Sequence, residues 1–416
     1  MATIIKNTSV LFGKELTFIK NVTIEISDNG IIKKVLKHDE NKEFWKNDGE
    51  NIKILNGERF LILPGFINSH VHIGDSIAKD IGMNLGFNEK INPKYGLKKM
   101  ILERTNKEHL KTFIKNSSIE MLRKGICTFV DFRENGVDGI NLMKESIKDI
   151  PIKSIILGRV EQYFDINNKS MNKLQEVNKK ELDKLIHIAD GIGLSGANEN
   201  TKRVLIQYKK TFEKIKTKKG NKKLLAVHAA ESKESMEYSI RFTKKTEVER
   251  VIHFLKPDLI VHMTNANIKD IKLVAKNKIG VILCPRANGV LGVGIPKVSK
   301  MLKEGCKIAL GSDNIMLNSP DMLKEMDYLW KVSHANEEEQ IDPKEILKMV
   351  TVNGAELLKL NSGYIEEGRE ADLLFLDKNH INLQPIHNIY ASIVHRANYD
   401  SIKSIMINGK FFSGVL

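Results

Sequence analysis

The chain has only three cysteines in 416 residues, too few for a disulfide framework. Cys127 and Cys284 sit inside apolar runs and read as buried thiols. No stretch of about 18 apolar residues occurs, so no membrane span is expected. The first residues carry no apolar signal region, and together with the cysteine usage this points to a cytoplasmic protein. No glycine-rich phosphate loop follows any strand-like run, which counts against an open dinucleotide-binding sheet. A compact basic module is lacking too. The formal charge is +14, but the lysines are spread along the chain. Clusters such as Lys214–Lys219 and Lys222–Lys223 read as a solvated connection. No specific nucleic-acid partner is expected.

What the chain does have is histidine at the ends of apolar runs. Phe60–Ser69 is short and apolar and leads into His70-Val71-His72. In a strand, side chains at i and i+2 point to one side, so this pair aims two imidazoles into one space and suits a divalent metal. Lys223–Val227 ends in His228, with Glu231 three residues on. Leu259–Val261 ends in His262, and Lys307–Ser312 ends in Asp313. In a parallel α/β barrel the reacting groups sit at the C-terminal ends of the strands.

Eight such runs can be counted. The others are Cys127–Asp131, Ser154–Gly158, Gly191–Ser195 (diluted by two glycines) and Gly280–Cys284. Between them, stretches such as Asn106–Lys124 and Asn267–Lys276 carry helical spacing. Strands alternating with helices imply a parallel sheet, here a (β/α)8 TIM-type barrel. The two ends show the alternation of half-exposed strands, in Val22–Ile26, Gly30–Val35, Ala371–Leu376 and Ser404–Lys410. They are expected to form one small composite β-sandwich. The expected division is residues 1–60 and 363–416 for that domain and 61–362 for the barrel. Residues just after the strands should face the reacting end. They give Arg133, Arg159, Glu161, Asn198, Arg286 and Asn288 as candidate substrate contacts. Arg159 and Arg286 could clamp a phosphate or carboxylate; internal ion pairs are the competing role for these arginines and glutamates.

Taken together, the chain resembles the amidohydrolase superfamily along essentially its whole length. The resemblance rests on Pro64–His72, His228-Ala229-Ala230-Glu231, His262, Gly311-Ser312-Asp313 and Gly363–Leu373. The nearest branch is that of the deaminases and chlorohydrolases: S-adenosylhomocysteine and adenosine-type deaminases, guanine deaminase, triazine hydrolases and an archaeal-type chlorohydrolase subgroup. The resemblance implies one divalent ion, zinc or iron, held by His70, His72, His228 and Asp313, with a bound water that ionises near neutral pH. Binuclear relatives carry a carboxylated lysine at a middle strand end. Here the fourth run ends Ser195-Gly196-Ala197-Asn198, and Lys153 precedes the third.

The resemblance further implies Glu231 as proton shuttle, His262 as hydrogen-bond partner of the attacking hydroxide or the tetrahedral centre, and Asp313 as both ligand and proton acceptor. It makes the protein a metal-dependent aminohydrolase releasing ammonia from a small heterocycle: a purine, a pterin or another cyclic amidine. Cyclic amide or carbon–halogen hydrolysis is the alternative, and a silent barrel a remote one. Many relatives are homo-oligomers, and the same is expected here. The departures fall on the substrate side. A Pro-His segment of the relatives is replaced by Ser195–Asn200, and Cys-Pro-x-Ser-Asn becomes Cys284-Pro285-Arg286-Ala287-Asn288. Gly-Thr-Asp-Gly becomes Gly311-Ser312-Asp313-Asn314, and Ile73–Ser76 follows the histidine pair.

Overall fold

The computed structural model describes residues 2–37, 52–167, 172–216, 223–336 and 340–413; most of the Lys214–Lys223 cluster lies outside them. Parallel strands form at the apolar runs: Phe66–His72, Ile126–Arg133, Lys153–Gly158, Gly191–Gly196, Leu224–Ala229, Leu259–His262, Gly280–Leu283 and Ile308–Leu310. Each pairs in parallel with the next. Several are buried along their whole length, because helices cover one face and the barrel interior the other. The helices start where the sequence offers caps. Asn106 accepts from Glu108 N at 2.8 Å ahead of Lys107–Arg123, and Asn267 opens Ile268–Lys276 with a capping box to Asp270. The glycines that dilute the fourth strand have a packing reason. A Cβ on Gly193 would stand 2.7 Å from the Phe132 ring and 3.0 Å from Leu157 Cβ.

The ring closes through a bend in the last strand. After Ile308–Leu310 the chain forms a further two-residue strand, Asp313–Asn314, which pairs with Val71 and His72 of the first. Asn68 stitches this seam, accepting from Ser312 N at 3.0 Å and donating to Ser312 Oγ at 2.7 Å. Gly311 permits the approach, since a Cβ there would fall 2.6–2.8 Å from Cβ, O and N of His70. Gly311→Ala is expected to lower stability by roughly 1–3 kcal/mol. The check is a lower denaturant midpoint at unchanged slope; an unmoved midpoint would mean that the seam relaxes freely.

Both chain ends build a separate eight-stranded mixed sheet. Its order is Lys410–Ser413, Ile402–Ile407, Leu373–Asp377, Phe60–Pro64, Ala2–Phe12, Thr17–Ile26, Ile32–Lys37, with Ile52–Asn56 also pairing to Ala2–Phe12. The apolar run read as one strand over 60–69 is two. Gly65 N bonds to Asp372 O at 2.8 Å on the end sheet, whereas Phe66 N bonds to Gly125 O at 2.9 Å beside the barrel. Residues 61–64, expected in the barrel, therefore pair in the end sheet. All three cysteines are buried and free. Among the described residues no helix is long and apolar enough to cross a membrane.

Candidate active site

His70 and His72 leave the first strand on one side, their ring centroids 4.9 Å apart, and His228 of the fifth strand stands 4.9 Å from His70. The ligand-type nitrogens of these three all lie within 4.8 Å of one another, as do the corresponding atoms of His70, His262 and Asp313. His228 Nδ1 bonds to Leu194 O at 2.8 Å and His72 Nδ1 to Phe132 O at 3.1 Å. These carbonyls fix the proton on Nδ1 and leave Nε2 as a lone pair. The Nε2 atoms then converge: His228 to His70 at 3.3 Å, His70 to Asp313 Oδ1 at 3.2 Å, His72 to the same oxygen at 3.7 Å. Asp313 Oδ2 is buried without a hydrogen bond. Facing lone pairs and an orphaned carboxylate oxygen fit a shared cation.

Backbone conformation helps to aim the groups. Asp313 and His262 are left-handed, at φ 59° and 78°, as is Ala230 at 57° just before Glu231. Non-glycine residues pay a steric penalty there and hold it where the surroundings over-determine them.

Burial first, then the neighbouring histidines, keep His228 well below its ordinary pKa. Burial and Lys98, against Glu134, bring His72 down to about 3. Burial, against Asp313, brings His262 down to about 4. These imidazoles are neutral at pH 7, the form a metal ligand needs. Burial works against ionising Asp313, but His70 and the other nearby imidazoles hold its carboxyl low. Glu231 goes the other way, raised well above the usual carboxylate range by burial and by Asp313, Glu247 and Glu199.

Glu231 Oε1 lies 3.5 Å from His262 Nε2 and has no hydrogen bond. His262 is oriented from behind. Asn288 donates Nδ2–H to Thr264 Oγ1 at 2.8 Å, so its Oδ1 accepts from His262 Nδ1 at 3.2 Å. Asn288, expected to touch substrate, thus reaches the site through His262. Asn288→Ala is expected to lower kcat ten- to a hundredfold with metal content unchanged; an unchanged kcat would remove this role.

A cavity of about 290 Å³ opens over the cluster, with Arg159, Glu161, Glu199 and Lys98 in its walls. Arg159 Nε bonds to Tyr163 Oη at 3.2 Å, and the guanidinium lies 3.7 Å from both Glu134 and Glu161. Asn198 lines an adjoining chamber, bonded to Ser235 O at 2.8 Å and Arg250 Nη1 at 3.0 Å. The other two arginines do not line either space. Arg133 is buried against Glu134 at 2.7 Å and Asp131 at 3.5 Å. Arg286 is held by Glu325 at 3.3 Å and Ser319 O at 3.0 Å. Their partners are acids inside the fold, so the proposed anion clamp does not assemble.

Sequence reasoning missed Lys98. It sits on the helix Leu97–Arg104, its ammonium 2.7 Å from Glu134 and 3.4 Å from Asp75. Glu134 in turn lies 3.1 Å from His72 Nδ1. Nothing local separates this buried lysine from the many exposed ones. Lys153 pairs instead with Glu370 and Asp372 of the chain-end segment, at 2.7 and 2.6 Å.

A closed barrel with four histidines, an aspartate and a glutamate at one end defines a class of barrel hydrolases. Residues 61–412 match the Amidohydrolase family, and the chain belongs to it. A Methanothermobacter thermautotrophicus protein provisionally named an aminohydrolase is 36% identical over 412 residues, 98% of each chain. A 5-methylthioadenosine/S-adenosylhomocysteine deaminase of Thermococcus sibiricus is 27% identical over 430 residues, covering 99% of this chain and 93% of its own. An adenosine deaminase from Xanthomonas campestris, solved with bound zinc, shares the fold at TM-score 0.84 and 17% identity, over 99% of this chain and 93% of that one. The protein is a hydrolase of this family.

Proposed function

We propose that the protein is a metal-dependent deaminase that releases ammonia from a purine, a pterin or another cyclic amidine. The observation that carries this reading is Glu231. Its carboxyl group, raised by burial and by Asp313, stands in the cavity wall beside the histidine cluster. A carboxyl group raised above the usual carboxylate range is a stronger base than an ordinary carboxylate and can accept a proton and then donate it during a turnover.

His70, His72, His228 and Asp313 would hold a single ion, zinc or iron. Such an ion, when bound, supplies a nucleophilic hydroxide at neutral pH and charge to oppose the developing negative centre. The chain's own groups do the rest. Glu231 takes a proton from the attacking water and delivers it to the ring nitrogen beside the attacked carbon. His262, neutral with its proton on Nδ1, accepts a hydrogen bond from the nucleophile through Nε2. Asp313 Oδ2, free of other partners, takes the second proton and passes it to the departing amine. A carbon–oxygen bond forms, a carbon–nitrogen bond breaks, and ammonia leaves.

Ammonia release by protein of known metal content, across adenosine derivatives, guanine, cytosine and pterins, tests this. Release from one class, lost on chelation and restored by metal, is expected. Silence from a metal-loaded protein, with chloride or a ring-opened acid produced from other substrates, would overturn it. A protein that takes up no metal would overturn it as well.

A further inference from the structure

The helix Leu97–Arg104 stands apart from the strands, yet it buries a lysine beside the histidine cluster. Lys98 and Leu102, one turn apart, are buried, and the Lys98 side chain is only 9% exposed. An ammonium group withdrawn from water needs acceptors around it. Two carboxylates supply them. Glu134 Oε1 lies at 2.7 Å and Asp75 Oδ2 at 3.4 Å.

Neither acid depends on Lys98 for a partner. Glu134 accepts from Arg133 Nη2 on its other oxygen, Oε2, at 2.7 Å. Asp75 accepts from Asn314 Nδ2 at 2.6 Å and from Met316 N at 3.1 Å. What the lysine adds is a link between the two, and each leads to a different part of the cluster. Glu134 Oε1, the oxygen facing Lys98, also stands 3.1 Å from His72 Nδ1. The other ring nitrogen of His72, Nε2, is the one that faces Asp313. Asp75 holds Asn314 and Met316, the residues that follow Asp313. An ammonium group has three N–H donors and can serve both acids at once. A partner on the far nitrogen of a ligating histidine sets the orientation of its ring.

We propose that Lys98 is a positioning residue of the metal centre. Acting through Glu134 it fixes the His72 ring, and through Asp75 it fixes the segment that follows Asp313. The inference rests on the reading of His70, His72, His228 and Asp313 as the residues that hold the ion. It gives a role in that centre to a side chain from outside the barrel strands.

Zinc affinity, measured by competition with a chromophoric chelator, tests this without requiring turnover. Lys98→Met keeps the length of the stem and removes the charge. It is expected to weaken zinc binding about ten- to a hundredfold. The visible spectrum of the cobalt-loaded protein should change as well, because it reports the arrangement of the ligands, which an ion pair that only stabilises the fold would leave alone. Glu134→Gln should weaken zinc binding by a similar factor. The double variant should lose little more than the larger of the two single losses, because the two side chains act in one chain. An unchanged zinc affinity in folded Lys98→Met protein would overturn the proposal, and so would an unchanged cobalt spectrum. Losses that multiply in the double variant would do the same. Should Lys98→Met not fold, Glu134→Gln decides: an unchanged affinity there removes the route to His72. The metal-ligand reading fails separately, if the unaltered protein takes up no metal.

Discussion

Glu231→Gln is expected to retain its metal and lose about a thousandfold in kcat, within the range for removal of a general acid–base. Glutamine keeps the size and the hydrogen-bonding reach but can carry no proton from water to ring nitrogen. The side chain follows the left-handed Ala230, whose N–H is held by Glu247 at 2.8 Å, and Asn265 anchors the Glu231 carbonyl at 2.7 Å. These backbone contacts do not depend on the carboxyl group, so the variant should fold and bind metal normally. The loss should appear in kcat rather than KM, because the proton is moved only as the barrier is crossed. A variant with normal turnover would take Glu231 out of the reaction.

His228→Ala should be more severe, losing the ion and on the order of 10⁴-fold or more in activity. His228 is the fifth-strand member of the cluster, and its Nε2 faces that of His70 at 3.3 Å. Without it the remaining donors come from the closing seam alone, the first strand and Asp313. The fold should survive, since Leu224–Ala229 is held by parallel ladders to both neighbours and the alanine leaves only the Leu194 carbonyl without its partner. Metal analysis and a thermal melt check the two halves of this expectation. Full metal content with full activity would contradict the assignment.

The barrel is legible in the sequence because its information is local. A strand buried on both faces must be apolar throughout, and a histidine at its end stands out against that background. The helices announce themselves by their caps, Asn106 and Asn267. What stayed hidden depends on partners far away along the chain. Arg286 looks like a pocket residue until Glu325, thirty-nine positions later, is packed against it. Arg133 follows a strand as a substrate contact should, yet it is held by acids on its own strand end. Lys98 belongs to no strand at all, and Asn288 shows its role only once His262 is beside it. The step from sheet to sheet at Gly65 was invisible because apolar residues flank it on both sides, and only the backbone partners change.

The most direct test is a metal titration of the metal-free protein, with zinc and separately with ferrous iron, while ammonia release is followed on the best substrate of the panel. One ion per chain, held by His70, His72, His228 and Asp313, predicts activity that rises linearly and levels off at one equivalent. Activity in the metal-free protein, or a rise that continues to two equivalents, would contradict the account.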